Sequence, residues 1–210
     1  MTTEKTRRAI FIIEEPEVIR LLSSFIKSEI LRLLSKKPMT ETQLSKVLEL
    51  TKAAVGYHLR PLKNAGLIKI DRYVTEEHGI SKYYSAVASM FVVDPDSMPD
   101  DVKRFFLETQ MMRLEGMLSA FKLYGKIEEV SPENLEELAE AMLTQLKVVG
   151  QRHITKKSKV SEAESLRIRI FAEALDNLVK ENRFHSLFQN MEPWERMAIV
   201  REEKMLREGM

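Results

Sequence analysis

The feature that most constrains the fold is a pair of short helices with explicit start signals and a tight joint between them. Thr40-Glu-Thr-Gln43 has the form of a capping box, in which the Thr40 hydroxyl accepts a hydrogen bond from the Gln43 N–H and the Gln43 side chain accepts one from the Thr40 N–H. Only Glu49–Thr51 separates this helix from a second one, predicted over Lys52–Ala65. Two helices joined so closely predict a helix-turn-helix.

The second helix has a defined inner face and a defined end. Val55, Leu59 and Leu62 are spaced four and three residues apart, so they share one face. Thr51 is placed to cap its start, and Gly66 follows its end as a left-handed cap would. Pro61 lies inside the helix and removes one backbone hydrogen bond, which predicts a kink or a tightened last turn.

Other elements complete a recognisable order around this pair. Ala9–Ile13 predicts a short strand, Pro16 opens a helix, and another helix follows over about Ser24–Leu34. After the pair, Leu67–Val74 and Lys82–Val87 predict the strands of a β-hairpin with a seven-residue tip. This is the order of a winged helix-turn-helix.

The rest of the chain has a helical pattern. Asp94–Asp100 is rich in helix breakers and is predicted to be a linker. Helices are predicted at about 100–124, from Ser131, at about 161–188 and from Pro193 to about 207. We expect a mainly α fold with a small β-wing: a winged helix-turn-helix domain over 1–93 and an all-helical region over 94–210. The first long helix carries a heptad seam of apolar residues, Leu107, Met111, Leu114, Leu118 and Phe121.

Charge and cysteine content narrow the function classes. The net charge is +1, but residues 1–90 hold 15 basic and 10 acidic side chains, whereas residues 91–210 hold 18 and 22. A basic first half suits a polyanionic partner. The absence of cysteine excludes disulfides and thiolate metal sensing. The longest run without a charged residue, Tyr83–Val93, is too short to cross a bilayer, and the polar start lacks a signal-peptide pattern. We expect a cytoplasmic protein without membrane contact.

A more specific pattern runs through the first 90 residues. Its points are Ile30-Leu-Arg-Leu-Leu34, Leu44, Val55, Tyr57-His-Leu59, Leu62, Ala65-Gly-Leu-Ile68 and Lys82-Tyr-Tyr84. In these residues the chain closely resembles the arsenical-repressor-like (ArsR-like) family of prokaryotic regulators. With the preceding strand and Pro16–Ile19, it is most similar to archaeal members with a long helical C-terminal extension. The specific resemblance covers residues 9–90.

The outward face of the second helix is the candidate DNA-reading surface, because a helix fits the major groove. Lys52 and Lys63 can neutralise phosphates, Arg60 can form a two-bond contact with guanine, and Gly56 lets the backbone come close. At the wing tip, Glu76 and Glu77 stand where a minor-groove contact favours cations. The candidate DNA contacts, including those of the wing, are Thr51, Lys52, Ala53, Gly56, Tyr57, Arg60, Lys63, Arg72 and Lys82.

Several other signals favour structural explanations. No two of the four histidines have the i,i+4 spacing of helical metal ligands, so we assign no metal, although a histidine–carboxylate site stays open. The acid-free run Lys147–Lys159 suits a phosphate contact or an anionic effector, but a solvated inter-helix loop is favoured. Catalytic motifs such as GxSxG and HExxH are absent, so we expect neither an enzyme nor a cofactor.

We interpret the sequence as a sequence-specific DNA-binding transcriptional regulator that acts as a homodimer on double-stranded DNA, with the helix at 52–65 in the major groove. The heptad seam is the first candidate for the dimer contact, and the helix at 161–188 is the second. The alternative is a winged-helix protein-interaction module without sequence-specific DNA binding; the cations of the reading face favour DNA. Whether a small-molecule effector exists stays open.

Overall fold

The computed structural model describes residues 6–76, 79–123, 127 and 129–188. The chain divides into two compact units. The first consists of the described residues up to Val92 together with His153–Glu164. The second consists of Val93–Arg152 and the described residues from Ser165 onward.

The first unit contains four helices and six strands among its described residues. It begins with β1 (Thr6–Ile13), α1 (Pro16–Leu22) and α2 (Phe25–Lys36). The two-residue strand β2 (Met39–Thr40) leads into α3 (Glu41–Leu48) and α4 (Lys52–Asn64). The wing strands β3 (Ile68–Glu76) and β4 (Gly79–Ala86) follow, then β5 (Ala88–Val93) and, much later in the chain, β6 (Lys157–Lys159).

The six strands form two three-stranded sheets. One sheet has the order β2-β4-β3, with β4 antiparallel to both neighbours, and a register shift between Ile70 and Arg72 marks a bulge in β3. The other sheet has the order β5-β1-β6, and β6 pairs antiparallel with β1. The first sheet is the wing of the sequence prediction, and the second joins segments that lie about 150 residues apart in sequence.

An apolar core holds α4 against the rest of the first unit. Val55, Leu59 and Leu62 are buried, as their shared face predicts, and α4 contacts α2, α3 and β3. Fully buried side chains also come from the surrounding helices and strands, among them Ile30 and Leu44. Each such side chain contributes about 1.5–3 kcal/mol by leaving water. This core fixes which face of α4 remains outside.

A buried arginine ties the second sheet to α2. The Arg7 side chain is 8% exposed; its Nε donates to Ser89 Oγ at 2.9 Å. Its two terminal nitrogens donate to the carbonyl oxygens of Leu34, at 3.3 Å, and Ser35. These carbonyls belong to the last turn of α2, where backbone acceptors lack partners within the helix and a cation is favourable. Arg7 therefore caps α2 from β1.

The second unit is helical in its described part. A 3₁₀ turn at Pro95–Ser97 precedes α5 (Asp100–Leu123) and α6 (Pro132–Gln151); α7 (Ala163–Val179), a second 3₁₀ turn and α8 (His185–Phe188) follow. Ser131 caps α6 by accepting a hydrogen bond from the Asn134 N–H at 3.2 Å. None of the helices in the described ranges has the length and apolar character needed to pass through a bilayer.

A partly buried ion-pair cluster anchors the first turn of this unit to α6. Lys147 Nζ lies 2.7 Å from Asp94 Oδ1 and 2.6 Å from Asp96 Oδ2. Burial alone would raise the pKa of Asp94, but the hydrogen bonds from Lys147 and the Asp96 N–H lower it below its ordinary value. The segment predicted as a linker, residues 94–100, therefore has a fixed start.

The structure differs from the sequence prediction at four places. The β-hairpin continues to the Glu76–Gly79 pair, so the predicted seven-residue tip is too long. The strand β5 was not predicted, and the predicted loop at 147–159 contains the end of α6 and all of β6. The helix predicted at 161–188 begins at Ala163 and ends at Val179. The helix predicted from Pro193 lies outside the described residues.

Candidate nucleic-acid interface

Local hydrogen bonds set the joint between α3 and α4. The capping box is present: Gln43 N donates to Thr40 Oγ1 at 3.2 Å, and Thr40 N donates to Gln43 Oε1 at 3.0 Å. Glu49 ends α3 in the left-handed region, with φ of 55°, and so turns the chain. Thr51 Oγ1 accepts from the Ala54 N–H at 3.1 Å, which starts α4. Thr51, a predicted DNA contact, therefore also serves as the helix cap.

The end of α4 is defined as tightly as its start. The helix runs through Pro61 to Asn64. It ends in a Schellman motif: Leu67 N donates to Leu62 O and Gly66 N donates to Lys63 O, both at 3.0 Å. Gly66 has a φ of 69°, which a residue with a side chain rarely adopts. Pro61 is thus followed by a short, regular last turn that contains Lys63.

The structure brings the predicted reading residues of α4 onto one open face. Lys52, Ala53, Tyr57, Arg60 and Lys63 are exposed. Within the described ranges, none of the three cations among them forms a salt bridge. The face therefore carries three positive charges that are free to meet an anion.

Gly56 lies on this face without a packing reason for being glycine. A Cβ at this position would meet only Glu41 Oε2, at an ordinary contact distance of 3.9 Å. A glycine inside a helix costs about 1 kcal/mol relative to alanine. Packing within the described residues therefore does not require glycine here, and close approach to DNA stays the prediction for this position.

We expect Gly56→Ala to stabilise the first unit and weaken DNA binding. Stability should rise by about 0.5–1 kcal/mol because alanine favours the helix. Affinity for a DNA duplex should fall by about tenfold, or ~1.4 kcal/mol, because the new methyl group holds the helix away from the groove. Thermal unfolding and fluorescence anisotropy measure the two effects. A more stable variant with unchanged affinity would show that Gly56 does not face the DNA.

A hydrogen bond that the sequence analysis missed connects the wing to α3. The Tyr84 hydroxyl donates to Glu41 Oε1 at 2.9 Å. Burial and this hydrogen bond to Glu41 raise the pKa of Tyr84 to about 12, so its hydroxyl keeps its proton at neutral pH. Glu41 is near the capping box, and β2 pairs with β4 through Met39 and Tyr84. The contact depends on this pairing, which no local pattern reveals.

His58 is a packed residue of α4. Burial, and secondly the charge of Lys27, lower the pKa of His58 below its ordinary value, so the imidazole is neutral near pH 7. Its Nδ1 is buried and has no hydrogen-bond partner among the described residues, and its ring meets the Tyr57 ring edge-on at a centroid distance of 5.3 Å. Across the described part of the chain, no group of three His, Asp or Glu side chains could hold a metal ion.

The wing is less available to DNA than α4. The Arg72 guanidinium lies 4.2 Å above the Tyr83 ring and 2.9 Å from Asp71 Oδ2, so two neighbours already hold it. Lys82 is exposed and lies opposite Tyr73 in the hairpin. The tip residues Glu77 and His78 lie outside the described residues. Of the two predicted wing contacts, Lys82 is thus the one without a salt bridge in the described ranges, and it lies on the face that carries Tyr73.

The predicted dimerisation seam is mostly used within one chain. Leu107, Leu114 and Leu118 are at most 4% exposed, while Met111 and Phe121 are half-buried. The helix α5 packs against α6 in the same unit, and these leucines are already buried within one chain. The same helix exposes two other apolar side chains, Met112 at 73% and Leu123 at 87%.

Known proteins resemble this chain over the region just described. Residues 26–69, from α2 into β3, match the sequence model of the family described as bacterial regulatory protein, arsR family. An uncharacterized HTH-type transcriptional regulator of Methanocaldococcus jannaschii is 37% identical over 73 residues, which are 35% of this chain and 76% of that protein.

Solved structures give a more distant likeness. A mutant of Lactococcus lactis ZitR in its apo form is 19% identical, with a TM-score of 0.30, over 63% of this chain and 86% of that one. The adhesin competence repressor AdcR of Streptococcus pyogenes is 18% identical, with a TM-score of 0.29, over 60% and 80% of the two chains.

Proposed function

Because the chain belongs to the ArsR-like family of helix-turn-helix transcriptional regulators and is thereby a DNA-binding regulator, we propose that it recognises a specific duplex sequence as a homodimer. The observation that carries this proposal is the open face of α4. The inner residues of this helix are locked in the core, while Lys52, Arg60 and Lys63 point outward without carboxylate partners in the described ranges. A helix held in this orientation can enter the major groove and present its outer side chains to the bases.

The residues of this face are suited to two kinds of DNA contact, to phosphates and to base edges. Lys52 and Lys63 lie at the two ends of α4, where they can contact phosphates on either side of the groove. Arg60 is placed between them in space and can donate two hydrogen bonds to a guanine, a contact that distinguishes bases by about 1–3 kcal/mol. One helix reads only a few base pairs, so two copies are needed for a site of useful length.

An exposed edge of α5 is the surface we assign to the second copy. Met112 and Leu123 are eleven residues apart, three helical turns, and therefore lie on the same edge. Gly116 and Ser119 between them are exposed as well, and in the described part of the chain nothing lies within 4 Å of a Cβ added to Gly116. Small residues flanked by large apolar ones permit close packing of a second helix. The buried seam leucines lie on the opposite face of the same helix.

Replacing Met112 with glutamate should convert the dimer into a monomer, because two carboxylates would meet near the symmetry axis of the contact. Sedimentation velocity at micromolar concentration measures the change. Val148→Glu on α6, where the native side chain is also exposed, is the matched control and should remain dimeric. A wild-type protein that sediments as a monomer would remove the homodimer from the proposal.

A protein-interaction module is the second candidate, and one observation favours it. The wing exposes Tyr73 at 61% and Ile80 at 68%, and the register places them diagonally on neighbouring strands. An exposed aromatic–aliphatic pair suits a protein surface. Protein binding at the wing would leave the cations of α4 without a role, so DNA recognition is the stronger proposal.

Selection from a random duplex pool distinguishes the two candidates. The full chain is incubated with the pool at about 150 mM salt, and bound duplexes are sequenced over successive rounds. The proposal predicts enrichment of a two-fold related motif with half-sites about 10 base pairs apart. Duplexes recovered without any enriched sequence would favour the protein-interaction module.

A further inference from the structure

The first unit carries a second cationic surface, formed by strands that are distant from α4 in sequence. In the β1–β6 ladder, Arg8 is directly opposite Lys157, and Thr6 is directly opposite Lys159. All four of these residues are exposed. The alternate pair, Arg7 and Ser158, is buried on the other face of the sheet. Arg8, Lys157 and Lys159, named here the cationic ladder, therefore share one solvent-facing surface.

This arrangement is unfavourable for the isolated protein. Like charges directly opposite one another in an antiparallel pair are destabilising. The nearest acids along the chain form no salt bridge with these cations in the described ranges: Glu162 accepts a hydrogen bond from the Lys159 backbone N–H, and Glu164 pairs with Lys36 at 2.5 Å. No salt bridge joins a side chain of the cationic ladder to any carboxylate within the described ranges. An anion from outside would remove this repulsion.

Protection of a sheet edge explains only part of this surface. Lysines on an edge strand discourage pairing with other chains, and β6 is an edge strand. Arg8, however, lies on β1, which is the central strand of its sheet and has no free edge. The Arg8 guanidinium lies 5.5 Å from the centroid of the Phe11 ring, a contact that does not neutralise its charge opposite Lys157. The pair of like charges therefore calls for another explanation.

We propose that the cationic ladder binds the phosphate backbone of duplex DNA beside the sequence read by α4. This inference rests on the proposed function, because it extends the same DNA complex. The ladder belongs to the same compact unit as α4, although Lys157 and Lys159 follow that helix by more than 90 residues. The segment His153–Glu164 thus returns to the DNA-binding unit and brings two of the three cations with it.

The salt dependence of binding tests this proposal. Each phosphate neutralised by a protein cation contributes about −0.9 to the slope of log affinity against log salt concentration. The variant Arg8→Gln, Lys157→Gln, Lys159→Gln should therefore show a slope shallower by about 2 to 3. Its affinity should fall by the same factor for the selected duplex and for a scrambled one, because backbone contacts carry no sequence information.

A matched control removes the same charge from the second unit. Lys103, Arg104 and Lys180 are exposed and already paired with carboxylates, and their combined replacement by glutamine should change the slope by less than about 1. Arg8→Gln alone is measured as well, since it leaves the edge strand unchanged, and should flatten the slope by about 1.

The outcomes separate this inference from the proposed function. A triple variant that is folded by circular dichroism and keeps the wild-type slope overturns the DNA contact. A variant that aggregates on size-exclusion chromatography while Arg8→Gln keeps the wild-type slope also overturns it, and assigns the lysines to edge protection. If the wild-type chain itself binds no duplex, the proposed function fails, and the inference fails with it.

Discussion

Replacing Arg60 with alanine is expected to weaken binding to the selected duplex by about 5- to 160-fold, which corresponds to about 1–3 kcal/mol. Arg60 is exposed on α4 and forms no salt bridge within the described residues, so its removal leaves the core untouched. The loss should be confined to duplexes that carry the preferred guanine, because a two-bond contact to a base edge is lost. Fluorescence anisotropy with the selected duplex and single-base variants measures this pattern.

Lys63→Ala is the matched control for Arg60→Ala. Lys63 is exposed on the same helix, three residues further on, but its ammonium is a point charge suited to phosphate. Its loss should weaken all duplexes by a similar factor and flatten the salt slope by about 1. An Arg60 variant that behaves like this control would show that Arg60 contacts only the backbone.

The second large effect concerns stability and centres on Arg7. Arg7→Ala should lower the free energy of unfolding of the first unit by about 3 kcal/mol, within a range of about 2–4 kcal/mol. The substitution removes three hydrogen bonds of a buried guanidinium and leaves the carbonyls of Leu34 and Ser35 without this donor. Buried acceptors that lose their partner cost about 1–3 kcal/mol each at most, and relaxation reduces the sum.

Arg8→Ala is the control for this prediction, because it removes the same side chain one residue along the same strand. Arg8 is exposed and faces Lys157 across the ladder, so its loss should change stability by less than about 0.5 kcal/mol or be slightly favourable. Urea denaturation, with hydrogen exchange of the β1 amides as a local readout, compares the two variants. Equal stability of both would contradict the capping role of Arg7.

The helix-turn-helix could be predicted from the sequence because its signals are local. The Thr40–Gln43 capping box and the Thr51 cap each involve residues three apart, and both bonds are present. The end at Gly66 depends on one residue that tolerates a positive φ. The inner face of α4 follows from helical spacing alone. These features need no knowledge of the rest of the fold, which explains why the inner and outer residues of α4 could be assigned from the sequence.

The second sheet could not be predicted because its partners are distant. β6 has only three residues, and its lysines are typical of a solvated loop. Only the pairing with β1 identifies it as a strand. Arg7 gave no signal either, since an arginine in a polar N-terminal segment is usually exposed. The Tyr84–Glu41 bond depends in the same way on a strand pairing, here that of β2 with β4.

The heptad seam shows a different limit. Apolar residues at 4-3-4-3 spacing predict a buried stripe, and Leu107, Leu114 and Leu118 are indeed buried. The spacing alone does not distinguish a partner helix in the same chain from one in a second copy. The structure supplies α6 as a partner within the chain, so the homodimer contact we propose moves to the edge with Met112 and Leu123.

Methylation interference on the selected duplex shows which groove α4 occupies. Methylation of guanine N7 alters the major groove, whereas methylation of adenine N3 alters the minor groove. We expect N7 methylation to block binding at two groups of guanines about 10 base pairs apart, and the Arg60→Ala variant to lose sensitivity at one guanine in each group. Interference by adenine N3 methylation alone, or by neither modification, would contradict recognition through α4 in the major groove.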